Sequence, residues 1–134
     1  MCFPIFVDDL GLRGQVHFLA GQDRESLVRI VRHASVMLVP SHSETFGLIA
    51  LEASASGVPV LAAASGGLTE AICNTHTGLL ILIHDPRMWA EALGALLTDK
   101  PRRDLMGTTG RQRALAMTWK RAAENTLQQY RRIL

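Results

Sequence analysis

An α/β fold, a parallel sheet with helices on both faces, is predicted by three features of this 134-residue sequence. Short apolar runs such as Val36-Met37-Leu38-Val39 and Val58-Pro59-Val60-Leu61-Ala62 are continuous, the pattern of strands covered on both faces. Stretches with helical apolar periodicity separate them, the alternation that builds parallel sheets. Hydrophobic residues make up 48% of the chain and charged residues 19%, which excludes a disordered polymer. The length fits one domain with a core of its own.

Residues 1–15 read as an irregular leader or the remnant of a truncated helix, and residues 16–134 as the folded unit. The start lacks a basic flank and is too short for a signal peptide. Residues 16–19 (Val-His-Phe-Leu) form the first expected strand. Asp23 can cap a helix reaching about Ala34, with Leu27, Ile30, Val31 and Ala34 on one face. Residues 36–39 are the second strand, stopped by Pro40. A loop then leads to a helix from about Phe46 to Ser56, closed by Gly57. Residues 58–62 are the third strand, with Pro59 near its start.

Ser65-Gly66-Gly67 turns into a short helix around residues 69–73. After the loop Asn74-Thr75-His76-Thr77-Gly78, residues 79–83 form the fourth strand. Asp85 caps the next helix and Pro86 occupies its first position. Trp89, Leu93, Leu96 and Leu97 mark the buried side of that helix. Pro101 opens another helix, and Thr118 caps a last one running to the end. Four strands are few for such a fold, and residues 1–40 read as its middle.

Composition narrows function by exclusion. Two cysteines make neither a disulfide scaffold nor a zinc site, so a reducing cytoplasm is expected. No apolar run reaches the ~18 residues of a membrane-spanning helix. Net charge is +2, but residues 1–99 hold five Arg or Lys against ten Asp or Glu, and residues 100–134 hold nine against two. A basic tail of this kind can serve nucleic acid or an acidic membrane. Leu105, Leu115, Trp119, Leu127 and Tyr130 favour instead amphipathic helices with their apolar residues on a core.

The chemistry concentrates between Pro40 and Ala53. Glu44 and Glu52 form a Glu-x7-Glu pair, one before the helix and one in its second turn. Between them lie the helix N-terminal amides of Phe46, Gly47 and Leu48, which with the helix dipole attract a phosphate. Gly47 lacks a Cβ and lets the backbone come close. Carboxylates accept hydrogen bonds from vicinal hydroxyls, so a Glu on each flank suits a ribose at one end and a hexose at the other. Such a ligand is a nucleotide-diphosphate sugar. The site also falls at the carboxyl end of a strand, where open α/β sheets bind ligands. Two glutamates at this spacing also occur on solvated helix faces. Glu52, however, is the one charge on a helix otherwise made of Leu48, Ile49, Ala50, Leu51, Ala53 and Ala55, and a carboxylate there calls for a partner.

This segment resembles the Glu-x7-Glu signature of the retaining nucleotide-sugar glycosyltransferases of family 4, which are built from two Rossmann-like halves (the GT-B fold). Val16-His17-Phe18-Leu19 and Pro40-Ser41 resemble the stretch preceding the signature. Gly57-Val58-Pro59-Val60 and Ser65-Gly66-Gly67-Leu68-Thr69-Glu70 resemble the strand and glycine turn after it. Thr118-Trp119-Lys120-Arg121 with Tyr130-Arg131-Arg132 resembles the closing helix. Within the family, His84-Asp85-Pro86 with Trp89-Ala90 and Ala92-Leu93 looks most like the mycothiol-pathway branch. That branch moves N-acetylglucosamine from its uridine diphosphate carrier to an inositol phosphate.

The resemblance implies roles. Glu44 would hold the donor sugar's hydroxyls and serve as the catalytic carboxylate, while Glu52 would hold the ribose diol. Thr45, Phe46, Gly47 and Leu48 would meet the sugar and distal phosphate. Gln22 and Arg24 would pack the base, Arg24 by stacking. The family's reaction retains anomeric configuration, needs no metal or other cofactor, and is thought to use the donor phosphate as base. The expected partners are a nucleotide-sugar donor and an N-terminal acceptor domain, or a chain supplying it. Homo-oligomers fit; nucleic acid and stable membrane insertion do not.

Departures from the family pattern carry their own expectation. The acceptor half, the front strands of the donor half and the Arg and Lys that meet the diphosphate find no match here. A diphosphate leaving group without cations is poorly stabilised, so this chain alone is expected to turn over no sugar. The alternative is a non-catalytic remnant or interaction module that kept the fold. Other motifs are absent: no phosphate-loop or dinucleotide fingerprint, no esterase elbow, and no metal spacing among His17, His33, His42, His76, His84 and the cysteines. His42 stands out only by lying beside Glu44. Gly66 and Gly67 read either as turn glycines or as part of the site.

Overall fold

The computed structural model describes residues 3–82 and 84–133, with side chains from Phe6 onward; Ile83, the end of the fourth expected strand, lies outside them. Three parallel strands lie in the order β1 (Met37–Val39), β2 (Val60–Ala63) and β3 (Gly78–Ile81). Met37 pairs with Val60, and Val60 with Gly78. All four β2 residues are at most 1% exposed. Because successive strand side chains point to opposite faces, both faces of β2 are covered.

Seven helices flank this sheet among the described residues: α1 (Phe3–Asp9), α2 (Arg24–Arg32), α3 (Leu48–Ala55), α4 (Leu68–Ala71), α5 (Pro86–Thr98), α6 (Lys100–Ala116) and α7 (Trp119–Ile133). The Asp23 carboxylate caps α2 by accepting from the Ser26 amide at 2.8 Å. Asp85 caps α5 through the Arg87 amide at 2.9 Å, with Pro86 in the first turn. α3 packs on β1, β2, α4 and α6, and α5 and α6 both pack on β3. The core joins Val39, Ala50, Ala53, Val60, Ala62, Ala63, Leu68, Ala71 and Ile72. Among the described residues, no helix is long and apolar enough to cross a membrane.

Two expectations need correction. Residues 16–19 are not a strand: they run exposed, and no ladder partner lies beside them among the described residues. A strand's backbone groups need a neighbouring strand, and among the described residues β1 pairs with β2 and β2 with β3, with none beside residues 16–19. Residues 1–15 contain the seven-residue α1, closed by Gly11 at φ +67°, so a helix stands in the segment read as a leader or a helix remnant. Its last carbonyls are taken by Gly11 N–H onto Asp8 O and Leu12 N–H onto Val7 O, a glycine-closed helix end.

The second correction concerns the basic tail. Leu105, Leu115, Trp119, Leu127 and Tyr130 are exposed, Trp119 to 92%, and α7 buries no residue. Met106 is buried as helix packing, but Met88, Met117 and Leu97 are exposed. Amphipathic pattern sets which side of a helix is apolar. It does not supply the surface that covers it.

Candidate functional site

The loop between β1 and α3 brings the sequence-selected residues together. β1 ends at Val39, Pro40 leads out, and α3 begins at Leu48 after Gly47 at φ +68°. Other residues adopt that left-handed backbone at a cost, and a Cβ on Gly47 would also press on Ala71 Cβ at 3.0 Å and Gly67 O at 3.1 Å. The loop is therefore seated directly on the turn after β2.

That turn holds the loop by main-chain contacts. Gly67 N–H donates to Glu44 O at 2.8 Å, and Ser65 Oγ donates to His42 O at 2.8 Å. A Cβ on Gly66 would fall on the Glu44 carbonyl, and one on Gly67 would lie 2.5 Å from Thr45 O. Both glycines are thus packing requirements of the Glu44 loop, beyond any need of the turn itself. Their contact partner lies some twenty residues upstream, which is why sequence alone leaves their role open.

Glu44 is half-buried and its Oε1 accepts from the Gly47 amide at 3.3 Å. The carboxylate thus lies across the start of α3, where the helix dipole favours negative charge. The amides of Phe46, Leu48 and Ile49 have no acceptor among the described residues. They are the orphan donors of a helix start. Thr45 and Phe46 are exposed on the same loop.

Two clefts adjoin here. One of about 500 Å³ is lined by Leu38, Pro40, Ser41, Glu44, Phe46 and Leu48, with Ile49 at its side. The other, about 270 Å³, lies between α2 and α3, with Arg24, Leu27, Val31, Met37 and Glu52 on its walls and Ile49 again among them. Each cleft therefore holds one of the two glutamates, and Ile49 is the wall they share. Arg24, the first residue of α2, faces the same cleft as Glu52. Gln22 does not line either cleft; its Nε2 donates to Ala20 O at 2.8 Å.

Two features escaped the sequence reading. Ile49 was read only as a helix residue, although its position after Leu48 signals the first turn. His42 stacks on His84, with ring centroids 4.0 Å apart and planes inclined by 25°. No spacing rule links positions 42 and 84. Elsewhere, a cleft of about 550 Å³ between α6 and α7, with Arg113, Met117 and Trp119, contains no carboxylate. It lacks the paired carboxylates and orphan amides of the α3 start. Among the described residues, no three His, Cys, Asp or Glu side chains converge as a metal site.

Comparison with known proteins places this geometry in context. Residues 6–113 match the family described as Glycosyl transferases group 1. The chain is 47% identical over 122 residues to the D-inositol 3-phosphate glycosyltransferase of Nocardia farcinica, covering 91% of this chain and 27% of that protein. It is 48% identical over 115 residues to the protein of the same name from Corynebacterium diphtheriae, covering 86% and 27%. The chain thus spans about a quarter of the length of these relatives. Among solved structures, it is similar to sucrose-phosphate synthase from Thermosynechococcus elongatus, with a TM-score of 0.86 and 36% identity over 98% of this chain and 33% of that one. Anabaena HepE, solved with UDP-glucose, shares the fold at a TM-score of 0.79 and 22% identity, over 84% and 30%.

Proposed function

The chain belongs to the group 1 glycosyl transferases, and from that premise we propose that it is the donor-binding part of a retaining hexosyltransferase. The observation that supports this best is the pair of adjoining clefts, each with one carboxylate, on either side of the unpaired amides that open α3. A nucleotide-diphosphate sugar fits that order. Its hexose hydroxyls donate to Glu44, its ribose diol donates to Glu52, and its distal phosphate accepts from the amides of Phe46, Leu48 and Ile49. Arg24 lies where a base would stack above the ribose.

The chemistry this geometry serves is positioning and charge stabilisation. The bond between the anomeric carbon and the phosphate oxygen breaks. The acceptor hydroxyl bonds to the same face of that carbon, and its proton passes to a donor phosphate oxygen. No metal or cofactor enters the scheme. The names of the two relatives favour an inositol phosphate as acceptor, and the resemblance to the mycothiol-pathway branch favours UDP-N-acetylglucosamine as donor. No Arg or Lys lines the Glu44 cleft among the described residues. Cations for the departing diphosphate must then come from outside these elements, so the chain by itself binds donor without turnover.

Calorimetric titration of uridine diphosphate and UDP-N-acetylglucosamine tests the reading. Both should bind the wild-type chain, and Glu52→Ala should weaken both by about tenfold, the loss of one charge-assisted hydrogen-bonding pair. Absence of binding to the wild-type chain refutes it.

A further inference from the structure

We propose that His84 is a positioning residue for Glu44, acting through its stack on His42; this deepens the donor reading and rests on it. Three loops meet at the carboxyl ends of the three parallel strands. The loop after β1 carries His42 and Glu44, the loop after β2 carries Ser65, Gly66 and Gly67, and the loop after β3 carries His84. The β2 loop grips the main chain of the first, through Ser65 Oγ on His42 O and Gly67 N–H on Glu44 O. The β3 loop grips its side chain, through the imidazole pair at 4.0 Å.

The two grips fix different things. Main-chain hydrogen bonds set the height of residues 42 and 44 above the sheet. They leave rotation of the segment between them unopposed. The ring stack removes that freedom, because His42 cannot turn without losing its face contact with His84. His84 is a firm support, since it immediately precedes Asp85, whose carboxylate caps α5 with Pro86 in the first turn. Neither imidazole has a hydrogen-bond partner among the described residues, so the stack is the contact that orients both rings. Glu52 sits on α3, outside this three-loop corner, and takes nothing from the stack.

The proposal therefore separates the two ends of the donor. Glu44 meets the hexose and Glu52 the ribose, so loosening His84 must weaken the sugar-bearing nucleotide selectively. The test uses the 134-residue chain, uridine diphosphate and UDP-N-acetylglucosamine, with His84→Ala and the ring-preserving His84→Phe. The expected result for His84→Ala is about tenfold weaker binding of UDP-N-acetylglucosamine and a smaller loss, about threefold or less, for uridine diphosphate, whose distal phosphate also meets the Phe46 amide of the loosened loop. His84→Phe should restore the sugar-dependent affinity. Without ligand, amide hydrogen exchange of residues 43–47 should quicken in His84→Ala and return to wild-type rates in His84→Phe.

Equal weakening of both ligands, unchanged binding of both, or unaltered exchange in the loop overturns the positioning role while leaving the donor reading in place. A wild-type chain that binds neither ligand overturns the donor reading and this inference together. Circular dichroism melting of both variants detects a folding defect, and loss of the fold in His84→Ala, which abolishes both ligands together, overturns the positioning role in favour of a purely structural one.

Discussion

An alanine at Gly66 would set its methyl group on the carbonyl oxygen of Glu44, in a backbone conformation of φ +49° that side chains disfavour. The turn and the Glu44 loop cannot both stay in place, so Gly66→Ala should cost about 1–3 kcal/mol in urea unfolding, the range for overpacking. It should also weaken the sugar-bearing nucleotide, as calorimetry would show. Asp23 makes a pH prediction. The Ser26 amide, then the Ser26 hydroxyl, hold its carboxyl below its ordinary value. A depressed native value means that the cap's contribution is present above the unfolded-state value and is lost as pH falls through the native one. The protection of the Ser26 amide against exchange, taken relative to the unstructured rate at each pH, should fall on acidification below about pH 4, and Asp23→Asn should remove that dependence. At this scale the glutamate pair was legible because its chemistry is local. Ser65 and His84 were not, because they reach the site only after the strands have aligned three loops.

Among elements, β2 carries the fold. Leu61 is fully buried and Leu38, on edge strand β1, is 43% exposed. Leu61→Ala should destabilise by about 2–5 kcal/mol, whereas Leu38→Ala should cost about 1 kcal/mol or less; denaturant midpoints would separate them. Helix α6 is fitted closely to the turn after α3: a Cβ on Gly107 would run into the Gly57 carbonyl. Arg111 donates to the Ala55 carbonyl and Arg113 to the Glu70 carbonyl at 2.9 Å, so two cations of the basic tail serve helix ends. The caps at Asp23, Asp85 and Thr118, and the closure after α3, were readable from sequence because capping needs only adjacent residues. Residues 16–19 were misread for the opposite reason. Their apolar run is strand-like, but a strand is defined by the chain beside it.

For the molecule as a whole, α7 is loosely attached. It buries no residue, and an isolated helix of its 15 residues is marginal in water. Truncation after Met117 should move the melting midpoint by less than about 5 °C, the equivalent of roughly 1 kcal/mol in a small domain. A larger drop would show that its apolar side has a support within the chain. The apolar residues on α7 and the exposed pair Phe46 and Leu48 share one property with the relatives' greater length: the chain alone does not cover them. The shared wall at Ile49 carries one more consequence. α3 advances about 1.5 Å per residue, and its first turn sets a fixed interval between the two clefts. The site is therefore a gauge of length as well as of chemistry. Whatever occupies both clefts at once must have its two ends joined by a linker suited to that interval, which the backbone of α3 sets and no side-chain rotation can change.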